Sequence, residues 1–248
     1  MGFGLKRRSR ELVGQALNLI IIPEHERYHW PEKDYLRRLL IILDIDCVID
    51  VGANRGQYGK LLRNLGYLGL IASFEPNPTA FSELQQHARD NWLCFPFALG
   101  SQTGELPFNV MADDVFSSFR HPSNADEYAA ENTVVSTVSV PIKRLDDVLP
   151  QMAATVARPF LKLDTQGFDL EVIKGAKKTI SRFQAIVSEV AIKRLYDGSP
   201  TFEESRDTIG RAGFEPANMF SVNPYKTLSL VEMNAYFVRK DLTPLDPL

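Results

Sequence analysis

Four groups of residues in this chain carry side chains suited to chemistry. The first is Asp50-Val51-Gly52-Ala53-Asn54-Arg55-Gly56-Gln57-Tyr58. The apolar run Val48 to Val51 leads into it, so it reads as a buried strand ending in a glycine-bearing loop. Gly52 lets the backbone turn tightly and lets a ligand approach it closely. The second group is Phe74-Glu75-Pro76-Asn77, at the end of the next apolar run. Glu75 falls about twenty residues beyond the loop, where a strand-end acid accepts the hydroxyls of a ribose. The third group is Asp164 and Glu189, each at the end of a further apolar run. A carboxylate there can take a proton from a reacting hydroxyl, and two together can hold a divalent cation such as Mg²⁺. The fourth is His121, in Ser117-Ser118-Phe119-Arg120-His121, a candidate base at neutral pH.

The loop departs from the dinucleotide fingerprint. Asn54 and Gln57 stand where the second and third glycines of G-x-G-x-x-G would fall. A pyrophosphate cradle is therefore disfavoured, and no G-K-[ST] marks a P-loop. A glycine loop plus a strand-end acid suits a nucleoside ligand without phosphate, of which S-adenosylmethionine is the common one. Asp50 is placed to face its sulfonium and ammonium charges, or else only orients the loop. Asp164 has the alternative of capping the following helix, and Glu189 that of pairing with Lys162 or Arg194. His121 has the alternative of a solvated loop side chain. Tyr196 and Phe220 either stack on a sugar ring or fill the core.

The elements that position these groups alternate. Strands are expected at Leu70 to Phe74, Leu93 to Ala98, Leu106 to Val110, Val134 to Ile142, Pro159 to Asp164, Ala185 to Val190 and Leu228 to Val238. Helices are expected after Pro31, after Gln57, around Phe81 to His87, from Leu170 to Phe183, and from Phe202 to Ala212. Asp113 to Asn132 reads as an exposed polar loop. Such alternation indicates an α/β fold, a mostly parallel sheet with helices on both faces. The turn at Asn223-Pro224 makes the last strand antiparallel. At 248 residues the chain has room for one large domain. The division expected is a helical segment at residues 1–43, packing on a catalytic domain at residues 44–248.

The net charge of −3 gives no general case for nucleic-acid binding. Cys47 and Cys94 form no C-x-x-C pair and read as free thiols of a cytoplasmic protein. Lys6 to Arg10 is basic and Leu12 to Ile22 mostly apolar, but Gln15 and Asn18 interrupt the run and no cleavage site follows. The segment either lies on an anionic membrane surface or docks on the domain. The oligomeric state stays open.

Together the motifs resemble a known family. Val48-Ile49-Asp50-Val51-Gly52-Ala53-Asn54-Arg55-Gly56-Gln57-Tyr58, Phe74-Glu75-Pro76-Asn77 and Ala98-Leu99-Gly100 are similar to the FkbM-type methyltransferases. Phe160 to Leu170 resembles that family's second signature, and Ser188-Glu189-Val190, Leu195-Tyr196 and Gly213-Phe214 its C-terminal part. The resemblance implies a Rossmann-like seven-stranded methyltransferase sheet. It implies methyl transfer from S-adenosylmethionine to an oxygen, most often of a sugar or polyketide-like acceptor. The cofactor would lie against Asp50, Gly52, Ala53, Asn54, Gly56, Gln57, Tyr58, Glu75, Pro76, Asn77, Ala98 and Leu99. The acceptor would be a small molecule, glycan or glycolipid. Gln166 stands where many members carry Glu, and Asp169 where another Glu is frequent, which weakens a metal role. The competing readings are an NAD(P)-dependent oxidoreductase and a non-catalytic protein of the same fold.

Overall fold

The computed structural model describes residues 22–123, 133–152, 156–222 and 229–242. The basic and apolar stretches of residues 6–21 and the Asn223-Pro224 turn lie outside the described residues. Contact density divides the chain between Leu39 and Leu40. Helix α1 runs Trp30–Ile42, with Glu32 in its first turn, favourable to the helix dipole. On its exposed face Asp34 meets Arg37 at 3.1 Å and Arg38 at 2.9 Å.

The larger unit is built on a seven-stranded sheet. Its strands are β1 (Cys47–Val51), β2 (Leu70–Phe74), β3 (Trp92–Phe95), β7 (Pro159–Leu163), β8 (Ala185–Ala191), β9 (Phe214–Ser221) and β10 (Glu232–Arg239). The order across the sheet is β3-β2-β1-β7-β8-β10-β9. The first five are parallel, and β10 runs antiparallel between β8 and β9. This is the expected mostly parallel, seven-stranded arrangement with an antiparallel final strand. Strands β1 and β7 are buried at every residue, as a sheet covered on both faces requires. Their apolar side chains join Phe74, Leu149, Phe183, Ile209 and Phe237 in one core.

Helices α2 (Gln57–Asn64), α3 (Pro78–His87), α5 (Asp169–Lys174) and α6 (Phe202–Arg211) lie in the connections. Helix α4 (Leu145–Met152) was missed by the periodicity reading. Its Asp146 is buried and accepts hydrogen bonds from the Thr179 backbone and hydroxyl, which disguises an inward-facing position as a polar one. Helix α6 begins with a reciprocal cap in which Thr201 and Glu204 each bond the other's backbone. The long helix expected from Leu170 to Phe183 stops at Lys174. Gly175 follows, and a Cβ there would lie 1.9 Å from the Gly100 carbonyl oxygen, so two backbones touch at that point.

The third expected strand divides as well. Chain pairing with β2 ends at Phe95, and after Pro96 the short β4 (Ala98–Leu99) joins a second sheet. There β4 lies parallel to β6 (Val134–Lys143), which pairs antiparallel with β5 (Gly104–Met111). Proline cannot donate to a ladder, which explains the break. Strand β9 was also not foreseen, because Glu215 to Asn218 is polar and partly exposed.

The chain leaves β1 toward β2 and β3 on one side and returns to β7 and β8 on the other. The strand order therefore reverses between β1 and β7. A crevice at the carboxyl ends of the strands is the place where such sheets bind ligands.

Candidate active site

A cavity of about 390 Å³ opens at that crevice. Its walls come from the ends of β1, β2, β7 and β8 and from the turn at residues 114–119. Gly52, Ala53, Asn54, Gln57, Tyr58, Glu75, Pro76, Ala98 and Leu99 line one end. Asp164, Gln166, Glu189, Ser117, Phe108 and Phe119 are among those that line the rest.

The loop after β1 is fixed by its backbone. The N–H groups of Gly52 and Ala53 both donate to the Phe74 carbonyl, at 3.0 and 3.1 Å. Gly52 has φ of +74°, and a Cβ on it would sit 1.8 Å from the Asp164 carbonyl oxygen. Only glycine fits, because the turn is left-handed and β7 passes directly behind it. We expect Gly52→Ala to cost more than about 2 kcal/mol of stability, measured by urea unfolding, since left-handed strain and a backbone clash add. A loss below about 0.5 kcal/mol would show that the loop can move aside.

Glu75 is 5% exposed. Its two carboxylate oxygens accept from the backbone N–H of Asn54 and of Asn77, each at 2.7 Å. Burial pushes the Glu75 carboxyl up to about 7, against those two amides, which favour its charged form. The carboxylate is thus rigidly aimed, with lone pairs left for donors in the cavity.

Asp50 is fully buried and does not line the cavity. One oxygen lies 3.1 Å from Lys162 Nζ and the other accepts from the Ser73 hydroxyl at 3.0 Å. Lys162, across the ladder from Asp50, also reaches the Gly52 carbonyl at 3.0 Å and Asp164 Oδ2 at 3.3 Å. The ammonium thus donates to one carbonyl and lies within 3.3 Å of two carboxylates. Burial works against the Lys162 charge, but Asp50 and Asp164 outweigh it and raise its pKa.

On the opposite wall, Gln166 has φ of +52° and projects its amide between two acids. Its Nε2 donates to Asp164 Oδ1 at 2.9 Å and to Glu189 Oε1 at 3.2 Å. The single Tyr196 hydroxyl proton lies between Gln166 Oε1 at 2.8 Å and the Phe116 carbonyl at 2.9 Å, and the two acids that accept from Nε2 fix the amide's orientation. Burial first, then the nearby charges of Glu232, Asp164 and Asp169, hold Glu189 well above the usual carboxylate range, and Lys162 opposes them only in part.

These contacts do not suit a divalent cation. The space between Asp164 and Glu189 belongs to a neutral amide that gives protons to both, and Asp164 already carries an ammonium partner. No cluster of three or more His, Cys, Asp or Glu fit to hold a metal occurs among the described residues.

Residues 50–216 match the methyltransferase FkbM domain. The chain belongs to the FkbM methyltransferase family. It is 25% identical over 160 residues to the 2-O-methyltransferase NoeI of Sinorhizobium fredii, covering 61% of this chain and 65% of that protein. It is 26% identical over 166 residues to the hexuronic acid methyltransferase AglP of Haloferax volcanii, covering 64% and 62%. Each alignment spans less than two thirds of the relative's length. Among solved structures, magnesium protoporphyrin IX methyltransferase from Synechocystis PCC 6803 aligns with a TM-score of 0.46 at 15% identity, over 88% of this chain and 85% of that one.

Within this FkbM chain most expected site residues converge on the cavity, and four do not. Asp50 supports the loop through Lys162 and Ser73 instead of facing a ligand. Gly56 is a left-handed cap of α2 packed near Leu84 and Trp92. Asn77 is buried and caps α3 through Thr79. His121 is exposed and does not line the cavity; its backbone carbonyl accepts from Asp197. Of the two aromatics, Tyr196 is buried and bonded to Gln166, Phe220 packs at right angles to Tyr236 at 5.8 Å, and neither lines the cavity.

The stretch read as an exposed loop from Asp113 supplies a wall of the site. Arg55 reaches its Asp114 at 2.7 Å, and the buried Ser118 donates to the Gln166 carbonyl at 2.8 Å. The part of that stretch at residues 124–132 lies outside the described residues. The sequence offered Lys162 only as a partner for Glu189, whereas it contacts Asp50 and Asp164, and it marked Gln166 only as a departure from the family's usual Glu. The apolar context of Lys162 within Phe160 to Leu163 was the available signal, since a lysine there must find partners.

Proposed function

We propose that this protein transfers the methyl group of S-adenosylmethionine to a sugar hydroxyl of a glycan, glycolipid or related small molecule. The observation that carries the reading is Glu75. It is a carboxylate with both oxygens anchored by backbone amides, facing a cavity beside a glycine turn that has no phosphate cradle. A ribose diol supplies the two donors such an acid lacks. Family membership and the sugar-directed names of the two curated relatives support the same reading.

S-Adenosylmethionine supplies an activated methyl on a sulfonium. The chain's residues bind the nucleoside at Glu75, Ala53 and Leu99 and shape a hydroxyl site between Asp164 and Glu189. Alignment of the attacking oxygen accounts for most of the rate, about 7–11 kcal/mol of barrier in well-oriented systems. Glu189 is the better proton acceptor of the two acids, because no ammonium contacts it among the described residues while Asp164 lies against Lys162. Asp164 orients the hydroxyl. The NAD(P) alternative is disfavoured at Asn54, whose side chain is engaged by Arg55, Gln57 and Asp114 where a dinucleotide loop needs a bare backbone. The free thiols fit a cytoplasmic enzyme, and the basic residues Lys6 to Arg10 fit peripheral contact with a membrane bearing a glycolipid. No helix among the described residues is long and apolar enough to cross a membrane.

The pH dependence follows from Glu75. The folded-state value near 7 lies above the ordinary carboxylate value, so the ionised acid is disfavoured until a donor meets it. Ribose hydroxyls take the ionised form. Cofactor affinity should therefore fall up to about tenfold per pH unit below 7 and level off above it. Calorimetry between pH 5.5 and 8.5 measures this, and a dissociation constant independent of pH would remove Glu75 from the ribose.

The test of function is transfer of tritium from methyl-labelled S-adenosylmethionine to a panel of p-nitrophenyl glycosides. Label in a glycoside that is absent with a 2-deoxy or per-O-acetylated analogue supports sugar O-methylation. Label recovered only in non-sugar acceptors would reject the sugar assignment.

A further inference from the structure

Glu189 stands in the wall between two cavities. One is the large site cavity, and the other is a small one of about 10 Å³, the room of a single water centre. Glu189, Tyr196, Ser199, Ser205 and Glu232 are among the residues that line the small cavity. Glu232 opens β10, beyond the segment that matches the family, and no sequence motif pointed to it. In the antiparallel register Glu189 faces Asn234, so Glu232, two residues away, projects on the same side of the sheet as Glu189.

The two glutamates lie on one face of the sheet and both line the small cavity, so their carboxyl groups crowd one another. Two carboxylates crowded in a site shielded from water disfavour double ionisation, so the pair retains one proton. The neighbouring groups cannot relieve them. Asp169 is engaged by Thr165 and by Ser188 at 2.6 Å, Asp164 holds Lys162 and Gln166, and the Tyr196 hydroxyl is bonded to Gln166 and the Phe116 carbonyl. Burial and these surrounding acids also push Glu232 up to about 7.

We propose that Glu189 and Glu232 are a proton-sharing pair through which the acceptor's proton leaves the active site by way of the small cavity. This rests on the methyl-transfer reading. As the hydroxyl oxygen bonds to the methyl carbon, the carbon–sulfur electron pair stays on sulfur and the O–H proton passes to Glu189. The pair, which held one proton, then holds two. It returns to one by giving a proton to water on the Glu232 side. Asp164, Asp169, Lys162 and Tyr196 are the other charged or titratable groups facing the pair among the described residues; Asp164 and Asp169 are engaged by hydrogen-bond donors, Lys162 is already protonated, and the Tyr196 hydroxyl is bonded to acceptors. Glu232 acts through Glu189 and is a positioning and relay residue.

The infrared carbonyl stretch of protonated carboxyl groups tests the pair without cofactor or acceptor. The intact protein in D₂O is titrated from pH 5 to 9 beside E232Q and E189Q. One protonated-carboxyl band that survives at pH 7 and vanishes in both variants supports the pair. Its survival unchanged in E232Q, or its loss from the intact protein on adding Mg²⁺ alone, would overturn it, the second result marking a cation site instead. Should E232Q fail to fold, E232D replaces it, and the band must then shift in frequency. With a p-nitrophenyl glycoside that accepts label, E232Q should keep its affinity for S-adenosylmethionine, move the acidic limb of the kcat–pH profile by about one unit, and lose about tenfold in kcat. An unaltered profile rejects the relay. Absence of any transfer with the band present would instead count against the methyl-transfer reading alone.

Discussion

Replacing Glu75 by alanine should raise the dissociation constant for S-adenosylmethionine at least about a hundredfold. Charge-assisted hydrogen bonds to a ribose are each worth roughly 1.5–3 kcal/mol, so losing two of them alone accounts for a hundredfold. The backbone N–H groups of Asn54 and Asn77 both point at this carboxylate from 2.7 Å. Without it they lose their partner at a position shielded from water, and the loop that must present Ala53 and Asn54 loses its anchor. Glu75→Gln separates the two contributions. Its oxygen can still accept from one amide, but its NH₂ meets the other donor head-on, so an intermediate affinity is expected. Calorimetric titration checks both variants, with thermal unfolding to confirm that each is folded. Affinity within threefold of the parent in Glu75→Ala would place the ribose elsewhere.

Glu189→Gln should leave cofactor affinity within about twofold and lower kcat by roughly 10²–10⁴, the range of a lost general base. The cofactor end and Glu189 occupy different parts of the cavity, and the replacement is nearly isosteric. It also removes a half-buried acid crowded by Glu232, Asp164 and Asp169, so the variant should be at least as stable as the parent above neutral pH. The sign follows from proton linkage. A carboxyl with a raised folded-state value costs stability as pH rises through the window between its ordinary value and the raised one, and glutamine has no such cost. Asp164→Asn should reduce turnover less and mainly raise the acceptor KM, because its charge is tied to Lys162 while its hydrogen bonds orient the hydroxyl. Steady-state kinetics on the accepting glycoside separate these outcomes. Equal losses of kcat in the two variants would make Asp164 a partner in proton removal.

The sheet and the cofactor end of the site were readable from the chain because their signals are local. Apolar runs ending in Gly52 and in Glu75 mark strand ends, and the absent glycines at Asn54 and Gln57 mark what the ligand lacks. For Asp50 the sequence left two readings open, and the structure favours the one in which it only orients the loop. A strand-end acid looks the same in sequence whether it faces the crevice or the sheet interior, and only its register opposite Lys162 decides. The proton-transfer end was not readable, since its parts meet through pairing far along the chain. Glu232 reaches Glu189 by the β8–β10 ladder, and Ser118 reaches Gln166 from a stretch whose polarity suggested solvent. His121 showed the converse, a residue with the right chemistry at neutral pH and no position in the site.

The central claim is that the Glu75 cavity takes S-adenosylmethionine. Titration of the purified protein with S-adenosylmethionine, S-adenosylhomocysteine and NAD⁺ in a calorimeter tests it most directly. Saturable binding of the first two, lost in Glu75→Ala, with none of NAD⁺, is the predicted result. Binding of NAD⁺ without S-adenosylmethionine would contradict it and return the site to the oxidoreductase reading.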